Sequence, residues 1–435
     1  MNIEPSATTT RAQLERMDET DPLAPVRERF HVPRALNSAP DAPPLVYLDG
    51  NSLGVVPRGV SERVRACIED EWGGDLVSSW NSAGWVDLPR TVAAKIAPLI
   101  GAEANDVRVA DSTSVNLFKV LAAALALRPD RTRIVSQRRN FPTDLYMVEG
   151  LNGLTGGERR LDLVDASDDP EAAIEAMLGD DTAVLLLTEI DYRTGRRLDM
   201  VRLTKAAHAR GALVVWDLAH SAGAVPVRLA ECDADFAVGC GYKYLNGGPG
   251  APAFLYVAAK HQSEARNPLS GWFAHAAPFA FESGFRPAEG ADRFLAGTPP
   301  VLSMVALDAA LDAWDGVSIE TVREKSVALT DLFIALVERA NTDLRLVTPR
   351  DPARRGSQVS FAHEHAYPIV KCLIARGVVG DFRAGQDDEP GIARFGFTPL
   401  YTRYADVWDA AERIGEVMET RAWDAPEFHQ RSAVT

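Results

Sequence analysis

Between about residues 57 and 300, short apolar runs alternate with longer segments of helical periodicity. Residues 183–188 and 213–216 are nearly continuous runs of apolar side chains, as expected for strands that are covered on both faces. Residues 200–210 lie between them, have apolar residues at helical spacing and are followed by Gly211, a typical helix-ending residue. Repetition of this unit predicts an α/β domain with a mostly parallel sheet, because parallel neighbours need a crossover connection.

The pattern changes after about residue 310, which indicates a second, smaller domain. We therefore predict an N-terminal arm with short helical pieces at residues 1–44, a large domain at 45–310 and a C-terminal α+β domain at 311–435. The predicted helices are residues 60–72, 114–127, 170–178, 200–210, 301–314 (long and amphipathic), 318–340 and 367–376. The predicted strands are residues 45–48, 107–110, 133–136, 183–188, 213–216, 236–238, 253–257, 344–347 and 357–361.

Charge and cysteine content limit the classes of function that suit the chain. Its 435 residues carry a formal net charge of −15, which argues against binding to nucleic acid or to an anionic membrane surface. A local pocket can still be positive, so the charge does not exclude an anionic cofactor. The four cysteines form no CxxC pair, which argues against a zinc or redox motif and favours a reducing cytoplasm. No apolar run approaches the length of a membrane span.

Lys243 stands between Tyr242 and Tyr244, directly before a glycine-rich turn at residues 245–250. Lysine is rare in apolar turns bounded by glycine unless the amine has a use. A partly desolvated amine also loses its proton more readily, as a nucleophile that forms a Schiff base requires. The alternative is a surface lysine on a hairpin, and this segment alone does not decide between the two.

Asp217 directly follows the apolar run at residues 213–216. Ligand-binding groups of open parallel sheets cluster at the carboxyl ends of the strands, and a carboxylate there can keep a pyridinium nitrogen protonated. His220 follows three residues later and could lie over the same site. Taken alone, the first is more often a capping aspartate and the second a structural histidine. Together with Lys243, however, Asp217 predicts an enzyme that uses pyridoxal 5′-phosphate (PLP), because these are the two protein groups that this cofactor most needs.

Residues 112–116 lie where a predicted strand gives way to a predicted helix. The free backbone N–H groups of a helix start, with the hydroxyls of Thr113 and Ser114, suit a phosphate group. The alternative is an ordinary N-cap. The chain contains neither a GxGxxG fingerprint nor a Walker loop, so sites for nicotinamide or nucleoside triphosphate lack support.

Several turns combine aromatic and polar residues and could approach a ligand. Phe141, in the turn at residues 140–144, could stack on an aromatic ring, although a core phenylalanine is the simpler interpretation. The turns at residues 269–273 and 297–300 have the same two interpretations. Trp80 and Trp85 could line an aromatic substrate pocket or pack in the core.

An amino-acid substrate also needs a cation for its α-carboxylate. Arginine suits this role because its guanidinium binds both carboxylate oxygens. The candidates in the C-terminal region are Arg383, Arg394 and Arg403. We prefer Arg394 because it lies in a strand-like run at residues 392–397, where an unpaired charge would be costly.

Taken in order, these segments resemble those of the kynureninase family, PLP enzymes of the aspartate-aminotransferase fold, over nearly the whole chain, and the bacterial form is nearer. This resemblance implies a fold-type-I large domain with a mostly parallel seven-stranded sheet. The segments that carry the resemblance are residues 48–54, 140–144, 191–195, 216–223, 241–250, 271–273, 297–300 and 395–401.

The resemblance also implies roles for single residues. Lys243 would hold the cofactor covalently and move protons, with Tyr242 as a proton donor. Arg394, Trp80 and Ser52 would bind the substrate. Thr298, which is asparagine in several family members, would reach the cofactor of the other subunit of a homodimer with active sites at the subunit interface. The residues that would contact the cofactor are Thr113, Ser114, Phe141, Asp144, Thr188, Asp217, His220, Tyr242, Lys243, Trp272 and Thr298.

The implied reaction is hydrolysis of L-kynurenine, or its 3-hydroxy form, to anthranilate, or 3-hydroxyanthranilate, and L-alanine, in tryptophan degradation or NAD precursor synthesis. Three alternatives remain: an aminotransferase, a cysteine-desulfurase-like lyase and a ligand-binding protein without catalysis. The lyase would need a nucleophilic cysteine on a mobile loop, whereas Cys372 lies in a predicted packed helix. The sequence predicts no metal site.

Overall fold

The computed structural model describes residues 9–36, 43–340, 342–386 and 389–431. Parts of the predicted arm, residues 1–8 and 37–42, therefore lie outside the described residues. The chain divides into two compact units. The central unit comprises residues 59–192 and 198–312, and the terminal unit comprises residues 1–58, 193–197 and 313–435. The domain boundaries inferred from the sequence stay a prediction. In the structure, residues 45–58 belong to the same unit as the C-terminal segment.

Most strands are short, and those of the central unit are largely buried except for β4 at the sheet edge. The strands are β1 (Val46–Tyr47), β2 (Val107–Val109), β3 (Arg133–Gln137), β4 (Arg160–Val164), β5 (Thr182–Thr188), β6 (Leu213–Asp217), β7 (Phe236–Gly239), β8 (Phe254–Val257), β9 (Arg345–Leu346), β10 (Gln358–Ala362), β11 (Val378–Val379), β12 (Asp381–Arg383) and β13 (Ile392–Gly396).

The α-helices connect these strands and cover the sheets. They are α1 (Arg11–Glu19), α2 (Ala24–Arg27), α3 (Arg58–Ala66), α4 (Ser79–Ser82), α5 (Leu88–Ile96), α6 (Thr113–Ala126), α7 (Pro142–Leu154), α8 (Pro170–Met177), α9 (Met200–Ala209), α10 (Val301–Leu311), α11 (Ile319–Arg339), α12 (Ala366–Ala375) and α13 (Tyr404–Glu419). None of the helices in the described ranges combines the length and apolar character needed to cross a bilayer.

The central unit contains a seven-stranded sheet with the order β2-β8-β7-β6-β5-β3-β4. Strand β8 runs antiparallel to both of its neighbours, and the other pairs are parallel, as the predicted mostly parallel sheet requires. Alternate residues of β5 to β8 pack with α6 on one face, because side chains two apart on a strand point the same way. The strand residues of this core are Ile134 of β3 together with Ala183, Val184, Leu186, Leu213, Val215, Phe236, Val238, Leu255 and Val257.

The terminal unit has a four-stranded antiparallel sheet with the order β12-β13-β10-β9 and a parallel pair of β1 with β11. Its core is built around Phe333 of α11, whose ring contacts Phe361, Phe395 and Phe397 at centroid distances of 6.0, 5.2 and 5.1 Å. These strands and helices confirm an α+β architecture after residue 313.

Two of the predicted helices differ from the structure. Of the predicted helix at residues 60–72, only the part up to Ala66 is α-helical, and Cys67–Asp75 is a π-helix that ends at Leu76 in a left-handed conformation (φ 53°). Helix α10 was predicted to be amphipathic, but most of its side chains are apolar and buried, because it packs within the unit rather than at its surface. Strand β4 and helix α7 were not predicted.

Candidate active site

Polar residues of the central unit meet where three neighbouring strands end. Thr188 ends β5 and Asp217 ends β6, and the two are register partners. The chain then leaves β7 at Gly239 and reaches Tyr242 three residues later and Lys243 four residues later. Because the carboxyl ends of parallel strands lie at one edge of a sheet, the fold brings the predicted lysine and aspartate to the same edge.

Gly241 fixes the path of the chain just before the lysine. A Cβ atom at this position would lie 2.6 Å from the carbonyl oxygen of Pro252 and 2.9 Å from Cδ2 of Leu307. Such contacts are too close for any side chain, so only glycine allows this backbone approach. The lysine turn is therefore packed against β8 and α10 rather than projecting as a surface hairpin.

Lys243 contacts His220 directly. Its Nζ lies 2.9 Å from His220 Nε2, and it also lies 5.8 Å from the centre of the Tyr242 ring. His220 is buried, whereas Lys243 is partly buried. Since an ammonium group has no acceptor capacity, a protonated Lys243 donates to the imidazole. This contact confirms that the lysine and the histidine belong to one cluster.

Asp217 is a buried carboxylate, 3% exposed, whose Oδ1 accepts a hydrogen bond from the backbone N–H of Ala219 at 2.7 Å. Burial raises the pKa of Asp217, and the Ala219 N–H and the charge of Lys243 act in the opposite direction. The lysine is thus the cation that favours the ionised aspartate. A second cation, such as a pyridinium, would favour it in the same way.

Asp144, in the first turn of α7, is a second buried acid of this cluster. Burial, followed by the negative charge of Asp217, raises the pKa of Asp144 well above its usual value. Thr188 Oγ1 donates to Asn140 Oδ1 at 2.5 Å and also lies 3.3 Å from Asp144 Oδ2. In both contacts the hydroxyl is the donor, and since it has one proton, the longer contact to Asp144 is the weaker one. Burial and the charge of Asp217 together therefore disfavour ionisation of Asp144.

Tyr242 and Cys240 flank the lysine turn. Burial raises the pKa of the Tyr242 phenol, and the neighbouring Cys240 and Asp217 raise it further. Burial also raises the pKa of the Cys240 thiol, whose Sγ lies 3.6 Å from the carbonyl oxygen of Ala219. Both groups therefore hold their protons at neutral pH, and the phenol is a proton donor rather than a base.

Thr113 and Ser114 are the first two residues of α6. Ser112 caps this helix by accepting a hydrogen bond from the Val115 N–H at 3.3 Å. The N–H groups of the first helical residues have no partner within a helix, so those of Thr113 and Ser114 face outward with the positive end of the helix dipole. This arrangement suits an anion, as the sequence predicted.

The predicted aromatic residues form two groups. Trp80 contacts Trp85 and Phe273 at ring-centroid distances of 5.8 and 6.4 Å, and Phe273 contacts Trp272 at 5.1 Å. Phe141 is 42% exposed, and its ring stands edge-on to Tyr192 at 5.2 Å. The faces of Phe141 and Trp272 are therefore available to a ligand.

Thr298 is the exception among the predicted cofactor residues. It lies in an exposed loop before α10. Within the described ranges, no side-chain hydrogen bond joins it to the cluster at the strand ends. Its predicted role toward a second subunit stays a prediction.

A separate polar cluster lies in the terminal unit around Arg394 in β13. Arg394 is 1% exposed and pairs with Asp381, from Nε to Oδ1 at 2.6 Å and from Nη2 to Oδ2 at 2.5 Å. Its Nη2 also donates to Ser52 Oγ at 2.9 Å. The register of the antiparallel strands makes Asp381 and Arg394 direct partners, so the buried charge is paired within its own unit.

Asp381 and Asp49 were not predicted as members of this cluster. Asp381 also pairs with Arg383, the second predicted arginine. Burial, followed by the negative charge of Asp381, raises the pKa of Asp49 to about 7, and the positive charge of Arg394 acts in the opposite direction. Asp49 lies in the segment at residues 48–54 that carries the family resemblance, so the sequence could have indicated it. The pairing of Asp381 depends on a strand register, which no sequence motif predicts. Arg403, the third candidate, pairs with Asp406 at the start of α13.

The residues of the central unit fit the groups of PLP. Lys243 offers an amine for the aldehyde, Asp217 a buried carboxylate for the ring nitrogen, and the start of α6 a set of N–H donors for the phosphate. Within the described residues, no group of three or more His, Cys, Asp or Glu side chains could hold a metal ion. The reactive groups of the cluster are the Lys243 amine, the carboxyl groups of Asp217 and Asp144, the His220 imidazole and the Tyr242 phenol.

Comparison with known proteins gives concordant matches. Residues 322–414 match the model of the kynureninase C-terminal domain. The chain is 50% identical over 432 residues to kynureninase of Burkholderia mallei, which covers 98% of this chain and 100% of the relative.

Solved structures show a shared fold at low identity. The apo cysteine desulfurase of Thermococcus onnurineus covers 86% of this chain and 95% of its own, with a TM-score of 0.73 and 20% identity. A variant of C-DES with glycine covalently linked to its PLP cofactor covers 86% of this chain and 96% of its own, with a TM-score of 0.74 and 16% identity. These matches confirm the predicted fold.

Proposed function

This chain belongs to the kynureninase family, and we propose that it hydrolyses L-kynurenine, or its 3-hydroxy form, to anthranilate, or 3-hydroxyanthranilate, and L-alanine, with PLP as cofactor. The observation that carries the proposal is the 50% identity to a kynureninase over 98% of the chain. The cluster of Lys243, His220 and Asp217 supports it, because the family reaction needs an amine and a ring-nitrogen partner at one place.

We assign the cofactor contacts to residues of the central unit. When bound, PLP supplies an aldehyde that links to amines and a protonated ring that withdraws electrons from the substrate α-carbon. Lys243 holds the aldehyde, Asp217 holds the ring nitrogen and Phe141 covers the ring. The remaining proposed contacts are Thr113, Ser114, Tyr242 and Trp272 to the phosphate, with Asp144, Thr188 and His220 around the ring and Thr298 from a second copy of the chain.

Two residues of this site move protons in the proposed reaction. The Lys243 amine takes the α-proton of the substrate, and the His220 imidazole at 2.9 Å stabilises the ammonium that results. The Tyr242 phenol returns a proton after the carbon–carbon bond to the aromatic ketone has broken. Its raised pKa supports this role, since a donor must hold its proton until that point.

Two further assignments concern the substrate. Arg394, with Ser52 beside it, binds the α-carboxylate in exchange for part of its pairing with Asp381. Trp80 packs against the aromatic ring. A homodimer with active sites at the subunit interface follows from the proposed role of Thr298.

The pathway and location are proposed on the same basis. The products belong to tryptophan degradation or NAD precursor synthesis, in the cytoplasm, where the four free cysteines would stay reduced. Two features of Cys372 give the desulfurase alternative little support. The residue is fully buried in α12, and burial raises the pKa of its thiol, so it is not an exposed nucleophile.

The proposal can be tested with purified protein, added PLP and L-kynurenine as the only other reactant. We expect anthranilate fluorescence without any keto acid, which also separates hydrolysis from transamination. Lys243→Ala should lose both this activity and the yellow protein-bound chromophore. Absence of anthranilate with the unmodified protein, or a Lys243→Ala variant with normal chromophore and turnover, would refute the assignment.

A further inference from the structure

Glu71 is the centre of a polar network next to the aromatic residues of the central unit. Its Oε2 accepts a hydrogen bond from the indole Nε1–H of Trp85 at 2.8 Å, and its Oε1 pairs with Arg63 at 2.8 Å. Burial alone would raise the pKa of Glu71, but the hydrogen bonds from Trp85, Cys67 and Arg63 lower it below the usual value. The side chain is therefore an ionised acceptor.

The backbone of Glu71 is anchored as well. Its carbonyl oxygen accepts a hydrogen bond from the buried Ser79 hydroxyl at 2.6 Å. Between these two residues the chain completes the π-helix Cys67–Asp75 and passes through Leu76, whose positive φ is unfavourable for a leucine. Both π-helices and such strained residues concentrate at functional sites, and here they turn the chain toward Trp80.

Trp85 connects this anchored segment to Trp80 by a ring contact. Its ring is 8% exposed and stands edge-on to Trp80 at 5.8 Å with an interplanar angle of 83°. The other side of Trp80 packs against Phe273 at 6.4 Å. Trp80 is partly buried and also packs on a small apolar cluster that includes Phe273 and Leu295. Trp85 is the neighbour through which its orientation depends on the carboxylate of Glu71.

We propose that Glu71 is a positioning residue for the aromatic ring of the substrate, because it holds the Trp85 indole that orients Trp80. This inference rests on the proposed function, which places Trp80 against that ring. It adds a residue that does not itself touch substrate or cofactor.

The test compares variants of the holoenzyme. Glu71→Ala and Trp85→Phe should each raise the KM for L-kynurenine and the inhibition constant of anthranilate about tenfold, the usual scale for loss of a hydrogen bond to a charged group. Glu71→Gln should retain most of the wild-type affinity, because its amide oxygen still accepts the indole N–H. The variant with both Glu71→Ala and Trp85→Phe should be no weaker than either single variant, since the two act through one contact.

Glu69→Ala is the matched control. Glu69 lies in the same π-helix and pairs with Arg65 at 2.8 Å, but its side chain is exposed and contacts no tryptophan in the described structure. We expect it to leave both constants unchanged. Equal effects of Glu69→Ala and Glu71→Ala would mean that the segment responds to any lost ion pair, and the positioning role would be wrong.

A second measurement separates positioning from general damage. Exchange of the α-proton of L-alanine with deuterated water needs the cofactor, Lys243 and a carboxylate-binding group but no aromatic pocket. Glu71→Ala should leave this rate unchanged, and a parallel loss of exchange and kynurenine affinity would overturn the proposal. If the unmodified holoenzyme forms no anthranilate, the proposed function is wrong. The role of Glu71 is tested separately by anthranilate binding, and equal binding to wild type and Glu71→Ala would reject it.

Discussion

Thr188 and Asp217 are register partners at the ends of neighbouring parallel strands, and Thr188 also contacts Asp144 of α7. Two buried acids therefore lie near one strand end. Their burial and mutual repulsion favour one negative charge over two. The Ala219 N–H and Lys243 lower the pKa of Asp217, whereas the charge of Asp217 raises the pKa of Asp144, which gives the two carboxyl groups different tasks.

Because the two acids have different tasks, we expect replacement by asparagine to lower kcat much more at Asp217 than at Asp144. Asp217→Asn should lower kcat by about 100- to 1,000-fold, the scale for loss of one preorganised charge, because a neutral amide cannot keep the ring nitrogen protonated. Asp144→Asn should lower kcat by roughly threefold at most, since the amide oxygen still accepts from Thr188 and burial already disfavours the charge that the substitution removes. Steady-state anthranilate assays provide the comparison. Equal losses in the two variants would contradict the assignment of the charge.

Tyr242→Phe should separate the early and late proton transfers. We expect kcat for kynurenine hydrolysis to fall by about 100-fold, the lower range for loss of a general acid. Exchange of the α-proton of L-alanine should continue, because Lys243 performs that transfer. Proton NMR in deuterated water measures the exchange. Unchanged turnover of kynurenine would remove Tyr242 from the mechanism.

Arg394→Lys should raise the KM for kynurenine about tenfold or more, because lysine lacks the planar fork that binds a carboxylate bidentately. The inhibition constant of L-alanine should rise in the same proportion. Arg403→Lys is the control, since Arg403 pairs with Asp406 at the start of α13. If both substitutions have the same effect, carboxylate binding does not depend on Arg394 in particular.

We predict that Asp49 makes a pH-dependent contribution to the free energy of unfolding. Its pKa is about 7 in the folded chain, raised by burial and by Asp381, against about 3.9 for an unfolded aspartate. A folded-state pKa above the unfolded value means that the contribution is complete below pH about 4 and is lost as pH rises through about 7. Asp49→Asn should therefore destabilise the protein more at pH 5 than at pH 8 in urea unfolding.

The control for this experiment is Asp315→Asn, which changes an exposed aspartate of the same unit. The same urea unfolding measurement on this variant shows how much of any change follows from removing a carboxylate at the surface. Parallel pH profiles for wild type and Asp49→Asn would show that Asp49 ionises alike in the folded and unfolded chain.

Asp18 of α1 caps α13 across the terminal unit. Its two carboxylate oxygens accept hydrogen bonds from the backbone N–H groups of Tyr404 and Ala405, at 2.7 and 3.0 Å. Asp18→Ala should lower the free energy of unfolding by about 1–2 kcal/mol, as expected for the loss of a helix cap. Glu19→Ala, an exposed neighbour, should have little effect in the same denaturation measurement. A similar stability for both variants would reject the capping role.

The buried strands of the central sheet could be predicted because each is a short apolar run that ends at a polar residue. Asp217 is such a residue, and it is found at the end of β6 as predicted. The same reasoning could not find β4, whose side chains alternate polar and apolar at the edge of the sheet, so the apolar run is missing.

Other parts of the site depend on contacts between distant residues. The sequence singled out Arg394, but its partner Asp381 is brought opposite by strand register. Similarly, the sequence indicated Trp80 and Trp85 as a pair of aromatic residues, whereas no motif indicated a role for Glu71. The π-helix that contains Glu71 has the sequence pattern of an ordinary helix, so periodicity alone does not predict it.

The cap that Asp18 places on α13 joins residues that are 386 positions apart in the chain. During translation, α1 therefore leaves the ribosome long before the helix that it contacts has been made. All seven strands of the central sheet are synthesised in between, so that sheet can form first. A polypeptide released early would carry Lys243 and the whole central sheet, but neither Arg394 nor the helix that Asp18 caps.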